Sequence, residues 1–249
     1  AEAIKKAGNV VLAMPFIVPT DDKKLVSNVS DEEISDLLWD SEFTEVKSGL
    51  KIKSGIQKGI NWKAYAYKAE SVSLPLKEFT KVSTLGNVYS RLDMDGVIRW
   101  EVMYINYGNA CYPSFSLQIS RIALGIEMKD MILFAGANVK LGSRFISTDL
   151  SGKTLINYIG RENSFPYKSA SDVINDKISP EFFKDNIVLV GTSALATYDI
   201  KITPFSANMP GVEKNATVVQ NILLNNFLKA SPGIIELLVI VFTGIFLGL

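Results

Sequence analysis

The last seventeen residues constrain this chain more than any other feature. From Gly233 to Leu249 it reads Gly-Ile-Ile-Glu-Leu-Leu-Val-Ile-Val-Phe-Thr-Gly-Ile-Phe-Leu-Gly-Leu, with Glu236 the single charge. A membrane-crossing helix needs about 20 predominantly apolar residues. The run therefore reads as the start of a transmembrane helix, with Pro232 before it and Glu236 near the interface. A buried C-terminal core helix, apolar all round, is the other reading. No comparable run lies upstream, so residues 1–230 are expected to form a folded domain on one side of the membrane, with 233–249 as the membrane segment. The chain opens at Ala1 within a helix-like run, without an initiator Met or a signal peptide, and so reads as a piece of a longer protein.

Composition removes several function classes. Apolar residues make up 47% of the 249, enough for a substantial core. Lys plus Arg and Asp plus Glu are both 26, so there is no basic excess for phosphate-backbone binding and no nucleic-acid partner is expected. With no histidine, a Ser-His-Asp triad is impossible and the commonest metal ligand is missing. The one cysteine, Cys111, cannot form an intrachain disulfide or a cysteine-rich zinc site and reads as a small buried hydrophobe. No metal and no cofactor are expected, and the chain itself is not expected to be an enzyme.

Local patterns set out an order of elements. Asn9–Pro15 predicts a buried strand after a helix, and Ser30 with Glu33 matches a capping box opening a helix to about Ser41. Glu42–Ile60, broken by Gly49, Gly55 and Gly59, reads as an irregular surface excursion. Val82–Leu92 and Val97–Tyr107 are β-rich runs joined by Asp93-Met94-Asp95-Gly96, which predicts a hairpin. Ser114–Gly125 predicts a helix burying Phe115, Ile119, Ile122 and Leu117. Met131–Phe134, Val139–Leu141, Phe145–Ser147 and Thr154–Tyr158 read as a four-stranded meander. Ser171 is placed as the cap of a short helix before Ile187–Gly191, a strand expected to be covered on both faces. A last helix after Pro210-Gly211 aligns Val212, Ala216, Val219, Leu223 and Phe227 in one stripe. The fold class expected is mixed α/β (α+β): a three-layer domain with a central mixed sheet.

Several short motifs bear on chemistry. Gly152-Lys153-Thr154 looks like the end of a phosphate-binding loop, but Ser147 stands where its first Gly belongs and a turn-then-strand context is wrong for it. Asp93, Asp95 and Glu101 lack the ligand spacing of a calcium loop. Asn28-Val29-Ser30 and Asn215-Ala216-Thr217 fit a glycosylation triplet short enough to arise by chance. Gly191-Thr192-Ser193 follows an apolar run, where α/β sheets place ligand loops, with Asp199 and Thr203 in the same connection. Ser193 has no histidine to activate it, which argues against a hydrolase. Arg99 reads as a solvent-facing or salt-bridged arginine, with pairing to Asp93 or Asp199 around a site as the sharper alternative.

Several of these motifs occur in one order: Asp93–Arg99, Tyr112-Pro113-Ser114, Ile156–Gly160, Ile187–Ser193, Asp199 with Thr203-Pro204, and Met209–Glu213. Together they resemble the second type of CHASE domain, the cyclase- and histidine-kinase-associated sensory extracellular domain, over residues 1–230. The resemblance implies one membrane helix before the sensor, about three after it and a cytoplasmic output domain: an adenylate or guanylate cyclase, a histidine kinase, a serine/threonine kinase or a diguanylate cyclase. In two respects this chain departs from the family. Asn215-Ala216-Thr217 stands where the family often has His-Ala-Asn, so no role of that histidine carries over. The family's earlier strand would precede Ala1, and a sheet without it is expected to expose an edge.

The expectation is thus an extracytoplasmic (periplasmic-side) sensor in the cell inner membrane, most simply of an adenylate or guanylate cyclase. A kinase sensor, or an envelope interaction domain that senses nothing, is the alternative. An unidentified small-molecule or envelope ligand is expected to meet Asp93, Asp95, Arg99, Thr192, Ser193, Asp199 and Thr203. Val212, Val219 and Leu223 are expected to carry the signal toward the membrane, in a homodimer.

Overall fold

A computed structural model describes residues 1–19, 31–49, 62–193, 199–231 and 233–248. The chain starts with helix α1 (Glu2–Ala7), ended by Gly8 at φ 68, a left-handed value that favours glycine. Strands β1 (Val11–Met14) and β2 (Phe16–Ile17) follow, then α2 (Asp31–Leu38), which tightens into a 3-10 turn at Trp39–Ser41. Next come β3 (Glu45–Ser48), β4 (Ser71–Val72), the single-turn α3 (Lys77–Thr80) and β5 (Thr84–Asn87). β5 runs parallel to β1, with Leu12 beside Leu85, and β2 pairs antiparallel with β4.

Strands β6 (Trp100–Val102), β7 (Tyr104–Tyr107) and β8 (Ala110–Pro113) lead into α4 (Phe115–Ala123). Ser114 caps α4 by accepting a hydrogen bond from Leu117 N–H, as Ser at an N-cap should. β7 and β8 form a hairpin over Gly108-Asn109 and make the shared wall of two cores. Successive strand residues point to opposite faces. Tyr104 and Cys111 accordingly enter one core with Met131, Leu133 and Val218, while Ile105 and Tyr112 enter the other with Met14, Phe16 and Leu85.

Strands β9 (Met131–Ala135), β10 (Asn138–Leu141) and β11 (Arg144–Ser147) form an antiparallel meander, and β3 adds parallel to the free edge of β9. Alternate residues of β9, namely Met131, Leu133 and Ala135, are fully buried. The chain continues through β12 (Lys153–Leu155), α5 (Ala170–Ile174), β13 (Ile200–Lys201), β14 (Met209–Pro210), α6 (Gly211–Leu224) and α7 (Gly233–Gly248).

The mixed α/β class is as expected, but the strands form several small sheets in place of one central sheet. The Asp93–Gly96 turn forms without a hairpin, because β5 pairs with β1 and β6 pairs with β12. That partner also takes β12 away from the meander, which has three strands. Glu45–Ser48, expected to be irregular, is a strand because it has the edge of β9 to pair with; Gly49 then lies so close to the β9–β10 turn that a Cβ there would sit 2.4 Å from Ala137 Cβ. Helix α5 has Ser169 at its N-cap position, two residues before the expected Ser171, and no side-chain hydrogen bond caps it. Leu117 and Ile119 are buried on α4 as expected, whereas Phe115 and Ile122 are half-buried. The capping residue Ser30, the triplet Asn28–Ser30, residues 50–60 of the excursion, Pro232 and Leu249 lie outside the described residues.

The largest difference is at Ile187–Gly191. This segment belongs to no sheet, and among the described residues its backbone groups make no hydrogen bond. Val188 and Val190 are 52% and 87% exposed. Its apolar character matches a strand interior, but burial needs a ladder partner and a second covering layer.

Helix α7 exposes its apolar side chains all round. Its 16 residues span about 24 Å at 1.5 Å per residue. No helix among the described residues is long and apolar enough to cross a membrane.

Candidate functional site

The Asp93–Arg99 turn is built by its own polar groups. Asp93 N–H donates to Val97 O at 3.0 Å, Gly96 N–H donates to Asp93 O at 2.9 Å, and Gly96 occupies φ 79. Arg99 grips Asp95 with both terminal nitrogens, at 2.9 and 2.7 Å, and reaches Asp93 Oδ2 at 2.9 Å. Asp95 Oδ1 also accepts from Val97 N–H at 3.1 Å. The Arg99 hydrogen bonds, and then that N–H, hold the Asp95 carboxyl well below its ordinary range, at about 2. Arg99 is pushed up in turn, first by Asp95 and then by Asp93. The expected pairing of Arg99 with Asp93 is present, while Asp199 pairs elsewhere.

The backbone around Arg99 joins three segments. Ile98 N–H donates to Ile202 O at 2.8 Å, Ile156 N–H donates to Arg99 O at 2.9 Å, and Tyr158 Oη donates to Ile98 O at 3.1 Å. Tyr158 is held well above its ordinary range, by burial first and by Glu101 second. The turn and the 199–204 segment therefore meet through the Ile98–Ile202 hydrogen bond. Within that segment Thr203 is buried and spends its groups locally: its N–H and Oγ1 donate to Ser206 O at 2.8 and 3.1 Å, and Ser206 N–H donates back to Oγ1. Thr203 closes a turn. Thr192 and Ser193 are exposed and make no hydrogen bond among the described residues, and residues 194–198 of that connection lie outside them.

Asp199 marks the start of α6. Its carbonyl accepts from Gly211 N–H at 2.8 Å, and its carboxylate pairs with Lys201 at 3.1 Å. A Cβ on Gly211 would stand 2.4 Å from that carboxylate, so glycine lets an anion rest against the positive end of the helix. The Met209-Pro210-Gly211 motif thus has a physical purpose: β14 pairs with β13, and Gly211 admits Asp199.

Polar side chains fix α6 in place. Glu213, 2% exposed, accepts from Asn163 N–H, Ser164 N–H and Tyr167 Oη at 3.0, 2.7 and 2.8 Å. Burial, and next Glu213 itself, push Tyr167 up. Lys214, equally buried, pairs with Glu101 of β6 at 2.5 Å and donates to Asn215 Oδ1 at 3.0 Å. Asn221 completes the set: its Oδ1 accepts from Asn157 N–H at 2.8 Å and its Nδ2 donates to Asn157 O at 3.0 Å. A side-chain amide takes the place of a neighbouring strand for the Ile156–Gly160 motif.

The expected apolar stripe lies on the face of α6 opposite Lys214 and Asn221. Val219 is buried and Val212 and Leu223 are half-buried. The residues of α6 that enter the main core are Val218 and Ile222. Ala216, Val219 and Leu223 instead line an apolar groove of about 250 Å³ with Phe165, Ile187 and Leu189. Gly191 touches Val212; a Cβ on Gly191 would come within 2.7 Å of it. Glu101, Lys214 and Asn221 were not anticipated. For the two on α6 a signal was available in the sequence: Lys214 and Asn221, seven residues apart, share the helix face opposite the apolar stripe, a pattern ordinarily assigned to solvent.

The same geometry bears on chemistry. Burial raises the Cys111 thiol to about 12, which suits packing and not nucleophilic attack. Among the described residues there is no group of three or more Cys, Asp or Glu able to hold a metal ion. The family model for the CHASE2 domain matches residues 1–249. No curated protein and no solved structure matches the chain.

Proposed function

The chain belongs to the CHASE2 domain family, whose members are sensory extracellular domains and not catalytic ones, and from that premise we propose that it is the receptor part of a membrane-anchored signalling protein. Its signal is read by a cytoplasmic adenylate or guanylate cyclase, with a histidine kinase or serine/threonine kinase as the alternative output. Residues 1–230 face the extracytoplasmic side, and α7 begins the membrane-embedded part. A small-molecule or envelope ligand engages Asp93, Asp95 and Arg99 together with Asp199, Thr192 and Ser193. Two copies of the receptor act as a dimer.

One observation carries this reading. Asp199 rests on the first residue of α6, and α6 leads within nine residues to the exposed apolar α7. A ligand that moves the Asp199 segment acts on the helix closest in sequence to the membrane segment. Signalling also requires unequal affinity for two positions of that helix, since equal binding shifts no equilibrium. The test is a thermal-shift screen of the detergent-held chain against metabolites, inorganic ions and envelope fragments. A dose-dependent rise lost in both Arg99→Ala and Asp199→Ala supports the site. A rise retained in both removes it.

A second reading, an envelope interaction domain that binds another protein, is favoured by exposed Val188 and Val190 beside the apolar groove. Cross-linking from Val190→Cys to one defined envelope protein, with no small-molecule shift, would select it.

A further inference from the structure

Residues of α2, the Trp39–Ser41 turn, α3 and the segment that follows it line a cleft of about 320 Å³. The volume sits at the lower end of the roughly 300–1,000 Å³ typical of small-molecule sites. Unlike the apolar groove, its lining is charged. Asp36 and Asp40 come from one side, four residues apart and so on one face of a helical turn; Lys77 and Lys81, again four apart, come from the other. Leu37 is the one aliphatic residue, and Ser41, Thr80 and Ser83 complete the lining.

The floor is held by its own hydrogen bonds. Ser41 Oγ accepts from Leu85 N–H at 3.1 Å, Thr80 Oγ1 donates to Pro75 O at 3.2 Å, and Ser83 Oγ donates to Phe79 O at 2.8 Å. Ser41 and Thr80 are 2% and 3% exposed. The rim is different. Among the described residues, no hydrogen bond or ion pair engages the carboxylates of Asp36 and Asp40 or the ammonium of Lys81. Opposite charges thus line one cleft on separate elements, and those three groups remain available to an incoming molecule.

We propose that this cleft binds a small zwitterion of the α-amino-acid type, its ammonium toward Asp36 and Asp40 and its carboxylate toward Lys81. A simple anion meets two like charges there, as does a simple cation. A molecule carrying both charges a few ångströms apart meets each with its opposite. With Leu37 alone to offer apolar contact, the site favours ligands with small or polar side chains. The inference does not depend on the Arg99 site and places a second, chemically distinct input on the same domain.

The experiment is calorimetric titration of the whole detergent-held chain with free L-serine, glycine, L-glutamine and L-aspartate. N-acetyl-L-serine (no ammonium) and ethanolamine (no carboxylate) are run beside them. At least one free amino acid is expected to bind saturably, with both blocked compounds at least tenfold weaker. Asp40→Asn and Lys81→Gln should each weaken binding at least tenfold with an unchanged melting midpoint, because both side chains are exposed. Asp36→Asn replaces Asp40→Asn if that variant misfolds. Arg99→Ala should bind normally, which separates this site from the turn. The proposal fails if none of the four amino acids binds, if the blocked compounds bind equally, or if binding survives both charge-removing variants.

Discussion

Two apolar runs of this chain look alike in sequence and meet opposite fates. Val102–Ile105 is fully buried. Ile187–Val190 is just as apolar, yet Val188 and Val190 face solvent. The first run has ladder partners in β12 and β8 and contributes to both cores. The second has α6 on one side and no strand partner among the described residues. A run of β-branched residues specifies extended backbone, whereas burial is conferred by what packs against it. The same contrast appears on α6, whose polar face is buried against β6 and whose apolar stripe lines a groove.

The comparison breaks most visibly at Lys214. Lys214→Met alone should cost about 3–5 kcal/mol, because it leaves the Glu101 carboxylate buried and unpaired. Adding Glu101→Leu should recover most of that loss in urea denaturation; if the double variant is no better than the single, the pair is not the source. Glu213→Ala comes next, at about 2–3 kcal/mol, since it strands two backbone N–H groups and the Tyr167 hydroxyl. Gly211→Ala should destabilise the wild type through the Asp199 carboxylate, yet stabilise an Asp199→Ala background by up to about 1 kcal/mol, the helix preference for alanine. A reversal of sign between the two backgrounds is the outcome to look for. Val190→Lys should change stability by less than about 0.5 kcal/mol, as befits an exposed position. The smallest effect concerns pH. Asp95 is depressed from 3.8 to about 2, so its contribution is present above about pH 4 and lost as pH falls through about 2. In Arg99→Gln that acid-side slope should flatten, and the wild-type and variant pH–stability curves should be parallel above pH 5.

Much of the architecture was legible. The helix from Ser114, three of the four strands read as a meander from Met131, the first strand and the helix after Pro210-Gly211 all follow from period, caps and turn residues. Asp95-Gly96 reads as a hairpin turn, yet the hairpin closes over Gly108-Asn109: a Gly-containing dipeptide between β-rich runs marks a turn, and which runs pair is settled by distant strands. Of the residues expected at the site, Asp93, Asp95 and Arg99 do cluster, since six residues of chain suffice to bring them together. Thr203 is spent on its own turn, and Asp199 on Lys201 and α6.

By itself the sequence determined much of the local structure of this protein: the helices from Ser114 and Gly211, the strands of the meander from Met131, the closed Asp93–Arg99 turn, the motif order of a CHASE2 domain and the apolar run from Gly233. Each depends on interactions between residues close in the chain or on a pattern of residue types. The tertiary structure alone decided which strands pair, that Lys214 meets Glu101 across 113 residues, that Asn221 substitutes for a strand beside Asn157, and that Ile187–Val190 is left exposed. Those outcomes rest on burial and on buried polar groups finding partners, which are properties of the assembled chain and not of any segment.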